Sequence, residues 1–319
     1  MPDPALVLDR VTKKYGEVVA ARDLSLSVEP GEMFGLIGPD GAGKTTAIRL
    51  MCGLLKADGG SVRVLGRDPV KDHLRVTQSV GYLSQRFSLY GDLTIDENIA
   101  FFAEIHGLHM NDPKVKDRSA RLLDLTQLVA FRDRLADQLS GGMKQKLALA
   151  CTLVHEPKVI LLDEPTTGVD PVSRREFWKL LSEFLSQGIT ILMATPYLDE
   201  AERCSRVALL HEGQLLALDA PGALRNSLKG DVMEVIARDR DRAGQVLEKL
   251  PGVVDVQLFG ERTHARLEPG SPFSDPDRLT AELERAGVGI QSVRHVHTSL
   301  EDVFIARVQH SSSIGGVRL

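Results

Sequence analysis

The chain has few cysteines, no apolar run long enough for a bilayer and no excess of positive charge. Its three cysteines, Cys52, Cys151 and Cys204, stand far apart in 319 residues and lack metal-type spacing. That excludes a disulfide framework and predicts buried, reduced thiols. The longest apolar stretch, residues 189–194, has the length of a buried strand. A membrane crossing needs roughly 20 apolar residues. No basic-then-apolar segment follows the opening Met-Pro-Asp-Pro, so the chain is expected to stay in the cytoplasm. A net charge of −5 argues against a broad electrostatic grip on nucleic acid. No tandem repeat is present.

What is there reads as a globular protein. Hydrophobic residues make up 43% and charged residues 26%, which excludes disorder and collagen-like or mucin-like character for the whole chain. Surface scaling gives about 13,000 Å² exposed when folded against about 51,000 Å² unfolded. That burial suffices for two cores. Strand-like segments at 6–8, 24–28, 33–37, 62–64, 159–162, 190–193 and 206–210 alternate with helix-like ones. Several are almost wholly apolar, as strands covered on both faces are. In the amphipathic segment 171–187, Phe177, Leu180, Leu181, Phe184 and Leu185 repeat at helical spacing. Asp170 suits its N-cap, Pro171 its first turn and Gly188 its stop. Residues 87–156 turn mostly helical, a helical insertion in an α/β domain. Past residue 223 the order becomes strand, helix, strand, strand, helix, strand, which is the ferredoxin-like order. A last helix is expected over 300–308, with Ser299 and Asp302 placed for a capping box. The predicted layout is an α/β domain over 1–222, an α+β accessory domain over 223–310 and a flexible tail over 311–319.

Three segments carry chemistry. Gly38-Pro39-Asp40-Gly41-Ala42-Gly43-Lys44-Thr45 has the P-loop pattern, after an apolar strand and before a helical run at 46–54. Glycines let backbone N–H groups curl round phosphate oxygens, and the helix start adds further donors. Lys44 is placed for the β- and γ-phosphates, and the Thr45 hydroxyl for Mg²⁺. Val159-Ile160-Leu161-Leu162-Asp163-Glu164 is a buried strand ending in two carboxylates. Asp163 suits a water-linked Mg²⁺, and Glu164 suits polarising an attacking water. Leu139-Ser140-Gly141-Gly142-Met143-Lys144-Gln145 opens a helix and makes a second anion-binding start. One nucleotide seldom needs two, so this one is read as facing the nucleotide of another subunit.

Together these segments resemble the nucleotide-binding subunit of an ABC transporter. The resemblance implies an α/β P-loop ATPase domain with a helical subdomain, binding ATP and Mg²⁺ (Thr45, Gln85, Asp163), with Thr46 completing the P-loop set. It makes Leu139 to Gln145 the signature sequence, with Ser140, Gly141, Gly142 and Gln145 reaching across a dimer. Gln85, after Val80-Gly81-Tyr82-Leu83-Ser84, matches the Q-loop glutamine and links the site to a transmembrane partner through the loop 86–94. Asp170 in Thr167-Gly168-Val169-Asp170 matches the D-loop aspartate. Tyr15 in Lys13-Lys14-Tyr15-Gly16 matches the aromatic that stacks on adenine; taken alone it fits core packing equally well. Asp199-Glu200-Ala201-Glu202 and Ser299-Leu300-Glu301-Asp302-Val303-Phe304 resemble ABC-2 type exporters of drugs, antibiotics and lipid-linked compounds. The expected setting is the cytoplasmic face of the cell membrane, with permease subunits and a second ATP-binding domain as partners and no nucleic acid.

Two positions depart from that family pattern. Pro196 in Thr195-Pro196-Tyr197-Leu198-Asp199-Glu200 stands where the family has the switch histidine. Proline supplies neither imidazole nor backbone donor, and His211 is expected beyond the next strand. Slow turnover in a homodimer and a heterodimer with one impaired site both remain open. Asp40 replaces the usual Asn, with its side chain expected in solvent. His295 and His297 share a strand face without a third ligand and are read as solvated. Asp239-Arg240-Asp241-Arg242 is read as a mixed-charge helix start.

Overall fold

The computed structural model describes residues 3–85 and 89–315. Arg86 and Phe87, where the expected coupling loop and helical insertion begin, lie outside the described residues, as do residues 316–319 of the expected tail. The chain divides into two compact units, Met1–Leu218 and Asp219–Leu319. The break precedes the expected boundary because Pro221 opens a helix that belongs to the second unit.

In the first unit, β1 (Leu6–Tyr15), β2 (Val18–Val28) and β4 (Gly59–Val64) form an antiparallel sheet in the order β2-β1-β4. A second sheet has the order β5-β6-β7-β3-β8-β9. Its members are β3 (Met33–Ile37), β5 (Val80–Leu83), β6 (Val159–Asp163), β7 (Thr190–Thr195), β8 (Arg206–His211) and β9 (Gln214–Asp219). Every residue of β3, β6 and β7 is buried, so none of the three alternates polar with apolar. Strands β5, β6, β7, β3 and β8 run parallel. Their carboxyl ends therefore share one edge, where open α/β sheets bind ligands. His211 ends β8 rather than lying beyond it.

Around the sheet lie α1 (Lys44–Met51), α2 (His73–Thr77), α3 (Ile95–Ile105), α4 (Pro113–Leu125), α5 (Gly141–Leu153), α6 (Pro171–Ser186) and α7 (Leu198–Ala201). Asp170 caps α6 by accepting from the N–H groups of Val172 and Ser173, both at 3.0 Å. Thr94 and Glu97 form a capping box on α3. The fully buried Asn98 donates its amide to the carbonyls of Tyr90, Leu93 and Thr94, fixing the segment that enters α3.

Where the helical insertion meets β5, the rings of His106 and His155 stack at 3.6 Å, 5° from parallel. His155 Nε2 lies 3.2 Å from the Val80 carbonyl, which only accepts, so that nitrogen carries the proton. Nδ1 is buried with no hydrogen-bond partner. Protonating it would bury a charge beside His106 and Arg118, and burial, then His106, pushes its pKa down to about 4. Burial lowers His106 too. The neutral rings are the folded form. Stability is therefore full above the unfolded pKa of about 6.5 and is lost as pH falls from there towards 4. The melting temperature of the wild type is expected to drop more steeply than that of His155→Gln between pH 7 and pH 4.5. Parallel melting curves would contradict this.

The second unit holds β10 (Val232–Ala237), β11 (Val253–Phe259), β12 (Arg262–Leu267) and β13 (Ile290–Val296), with α8 (Pro221–Ser227), α9 (Arg240–Leu247), α10 (Pro276–Arg285) and α11 (Leu300–Gly315). Its antiparallel order, β11-β12-β10-β13, is the ferredoxin-like arrangement. Met233, Val235, Ala265 and Leu267 on the sheet meet Ala243, Leu247, Leu279 and Leu283 on α9 and α10. Helix α11 runs past the expected stop at 308. Ser299 and Asp302 make the expected reciprocal cap, and Asp302 also holds His264 of β12 at 2.9 Å. The tail motif thus anchors a helix start to the sheet. Asp239 caps α9. His295 sits 3.2 Å from Asp231, and no metal-holding cluster occurs among the described residues.

Candidate nucleotide-binding site

Strand β3 ends in the loop Gly38–Gly43, and α1 starts at Lys44. A Cβ on Gly38 would lie 2.3 Å from the Leu210 carbonyl oxygen. Gly43, at φ 99°, would put one 2.4 Å from the Ala20 carbonyl oxygen. Only glycine fits at either place. Gly43 caps α1 without a side chain, so the first N–H groups of the helix are open to an anion. Lys44, 4% exposed, donates to the carbonyls of Gly38 at 2.7 Å and Pro39 at 3.0 Å. Its Nζ also stands 3.2 Å from Glu164 Oε1.

The carboxylates arrive together at the end of β6, which β7 separates from β3. Asp163, 1% exposed, ends β6 and accepts from Thr45 Oγ1 at 3.0 Å. Burial, then the charge of Glu164, pushes its pKa up against the pull of the Thr45 bond. A hydroxyl and a buried carboxylate side by side are hard oxygen donors, and a divalent cation would relieve the buried charge. The donor set fits Mg²⁺. Glu164 follows at φ 51°, a strained conformation for a side chain of this kind and one that gathers at functional sites. Its second oxygen accepts from Gln85 Nε2 at 3.0 Å. One cleft of about 650 Å³ brings together residues 40–46, Gln85 and Glu164. Asp40 is exposed on its rim.

Other expected residues lie outside that cleft. Tyr15 is 45% exposed, so it is not a core residue, and it pairs across the hairpin with Val18, which does line the cleft. Ser140 caps α5 through the Met143 N–H at 3.3 Å, with Ser140 and Gly141 exposed. Gly142 packs so closely on α6 that a Cβ would come within 2.2 Å of Ser173 Oγ. Gln145 is buried, with its Nε2 unpaired. Asp170 is exposed at the start of α6, and its contact with Ser173 holds its carboxyl below the usual range. Pro196 follows β7, whose last residue Thr195 is level with Ile37 just before the P-loop. The cleft also holds Val19, Ala20, Arg22 and Glu212, none of them singled out from the sequence. Ala20 had a signal, since Gly43 needs a close backbone neighbour. Arg22 and Glu212 had none.

Among the described residues no helix is long and apolar enough to cross a membrane. Residues 21–167 match the ABC transporter family, and residues 221–308 match the family described as ATP-binding protein DrrA1-3-like, C-terminal domain. The chain is 47% identical over 265 residues to a probable multidrug ABC transporter ATP-binding protein of Escherichia coli, covering 82% of this chain. It spans 46% of that relative's length. It is 36% identical to Nod factor export ATP-binding protein I of Paraburkholderia xenovorans, over 96% of this chain and 97% of that one. The fold matches a dimeric ATP-binding cassette in a post-hydrolysis state bound to ADP and Pi, with TM-score 0.60 and 26% identity, over 67% of this chain and 98% of that one. The chain belongs to the ATP-binding proteins of ABC transporters.

Proposed function

We propose that the chain binds ATP in the P-loop cleft and hydrolyses it to power export through a separate transmembrane partner, at a site of its own slowed by Pro196. The observation that carries this reading is the joining of Lys44, Glu164 and Gln85 beside the Thr45–Asp163 pair, all at the carboxyl ends of parallel strands. Tyr15 stacks on adenine from the hairpin edge. Residues 38–46 wrap the phosphates, and Lys44 turns from the loop carbonyls to the β- and γ-phosphates. Thr45, Asp163 and Gln85 would hold Mg²⁺, which would neutralise charge developing on the phosphates. Glu164 polarises the attacking water.

Ser140 and Gly141, exposed at the start of α5, meet the nucleotide of a second ATP-binding domain, identical or different. Gly142 and Gln145 hold that helix start in place from within. Asp170, exposed at the start of α6, meets the same partner. Export as the direction is supported by relatives named for multidrug transport and Nod factor export. The working place is the cytoplasmic face of the membrane. Pro196 also favours a second reading, a nucleotide-binding regulator with little turnover, which a coupled ATPase assay with and without the membrane partner separates from an engine.

Lys44→Ala tests the binding step. Hydrogen bonds to charged groups are worth about 1.5–3 kcal/mol, so Mg-ATP affinity is expected to fall about 10- to 100-fold. Equilibrium dialysis reads it. Equal binding by the variant, or none by the wild type, removes the reading.

A further inference from the structure

The sequence marked residues 199–202 only as a subfamily feature, yet Glu200 is 1% exposed. A buried carboxylate needs partners, and these come from three segments. Thr166, two residues past Glu164, donates Oγ1 to Glu200 Oε1 at 2.5 Å. Thr195, at the end of β7, donates Oγ1 to Oε2 at 2.7 Å. Arg174, on the first turns of α6, places Nε 3.8 Å from Oε1. That nitrogen is itself buried without a hydrogen bond, so its charge is balanced by proximity.

The same segments meet again nearby. The Arg174 guanidinium lies over the Tyr197 ring at 4.9 Å. The Tyr197 N–H donates to Thr195 Oγ1 at 3.1 Å. Below them the Glu164 N–H donates to the Ala194 carbonyl at 2.9 Å. Both chain neighbours of Pro196 are therefore held in this network. So are both flanks of the turn that ends in Asp170.

We propose that Glu200 is a positioning residue. By bridging Thr166 and Thr195 it locks the switch segment around Pro196 to the segment 164–174, so that nucleotide bound at this chain's own P-loop is felt at Asp170. The inference rests on the ATP-binding reading above and adds what that binding does. Glu164 touches Lys44 and Gln85 at one end of the 164–174 segment, and Asp170 stands exposed at the other. With Thr166 and Arg174, which lie within that segment, tied to Thr195 of β7 through one carboxylate, a displacement of Glu164 by phosphate is carried along the segment instead of dissipating in its turn. A site that hydrolyses slowly would still report its occupancy to the partner.

The test is hydrogen–deuterium exchange on the full chain with and without Mg-ATP, following residues 38–46, 164–174 and 195–201. The variants are Thr166→Val and Thr195→Val, which keep the shape and lose the donor, and Thr166→Ser, which keeps the donor. In the wild type, ATP is expected to slow exchange in all three segments. In either valine variant the slowing at 38–46 persists, while that at 164–174 shrinks at least about threefold; Thr166→Ser restores it. A merely structural bond would speed exchange equally with and without ATP and leave their ratio unchanged. An unchanged ratio at 164–174, or no rescue by serine, overturns the coupling alone. No slowing at 38–46 in the wild type overturns the ATP-binding reading and this inference with it.

Discussion

Glu164→Gln is expected to cut ATP turnover by about 100-fold or more while Mg-ATP binding stays equal or tightens. General base action contributes about 10²–10⁴-fold, and glutamine keeps the size while losing the basicity. Binding holds because Lys44 still stands beside the carbonyls of Gly38 and Pro39, from which it turns to the phosphates. Removing the carboxylate also removes a charge standing 3.2 Å from Nζ, freeing that cation for phosphate. The backbone should tolerate the change, because glutamine and glutamate share the cost of the left-handed conformation at φ 51°. Phosphate release reads turnover, and equilibrium dialysis reads binding. Turnover within about threefold of the wild type would move the water-polarising role off Glu164. Lost binding would mean that the carboxylate shapes the P-loop rather than the chemistry.

Much of this site was legible because its parts are local in sequence. The P-loop needs a strand, a glycine-rich turn and a helix in succession, and residues 33–51 supply them without a break. The all-apolar runs of β3 and β6 gave away strands buried on both faces. The four strands of the second unit were legible for the opposite reason, since their turns are short and their apolar residues regular. What the sequence hid were relations between distant segments. Strand β5 is four residues long with Gly81 inside it, and that glycine packs against Thr152, where a Cβ would lie 2.6 Å from Cγ2. Strand β9 is half-buried along nearly its whole length, so no periodicity marks it. Glu200 stood in the sequence only as part of a subfamily motif, with nothing to mark it as buried. Its burial depends on Thr166, 34 residues earlier. Pairings of this kind are invisible until the strands are laid side by side.

Pro196→His is expected to raise the ATPase rate of the purified chain by about 10- to 100-fold. One well-placed donor beside a developing charge is worth about 10²–10³ in rate, and this one must act in a loop that has held proline. The backbone can accept histidine. Tyr197 N–H is already taken by Thr195 Oγ1 at 3.1 Å, so the turn does not depend on the ring of proline. Thr195 is fully buried and fixed beside Ile37 by the parallel pairing of β7 with β3. The side chain at 196 therefore starts from a rigid strand end next to the P-loop. Proline suits that place sterically, since it follows an extended residue, but it offers no proton to the γ-phosphate and no lone pair to the water. If the rate rises and the KM for ATP barely moves, the wild-type site binds nucleotide normally and fails at the chemical step. The exposed Ser140 and Gly141 would then serve a partner subunit that keeps its histidine, and the working transporter would pair two different ATP-binding chains. Robust turnover by the wild-type chain alone, or no rise on Pro196→His, removes that asymmetry and leaves a homodimer in which Glu164 and Lys44 suffice.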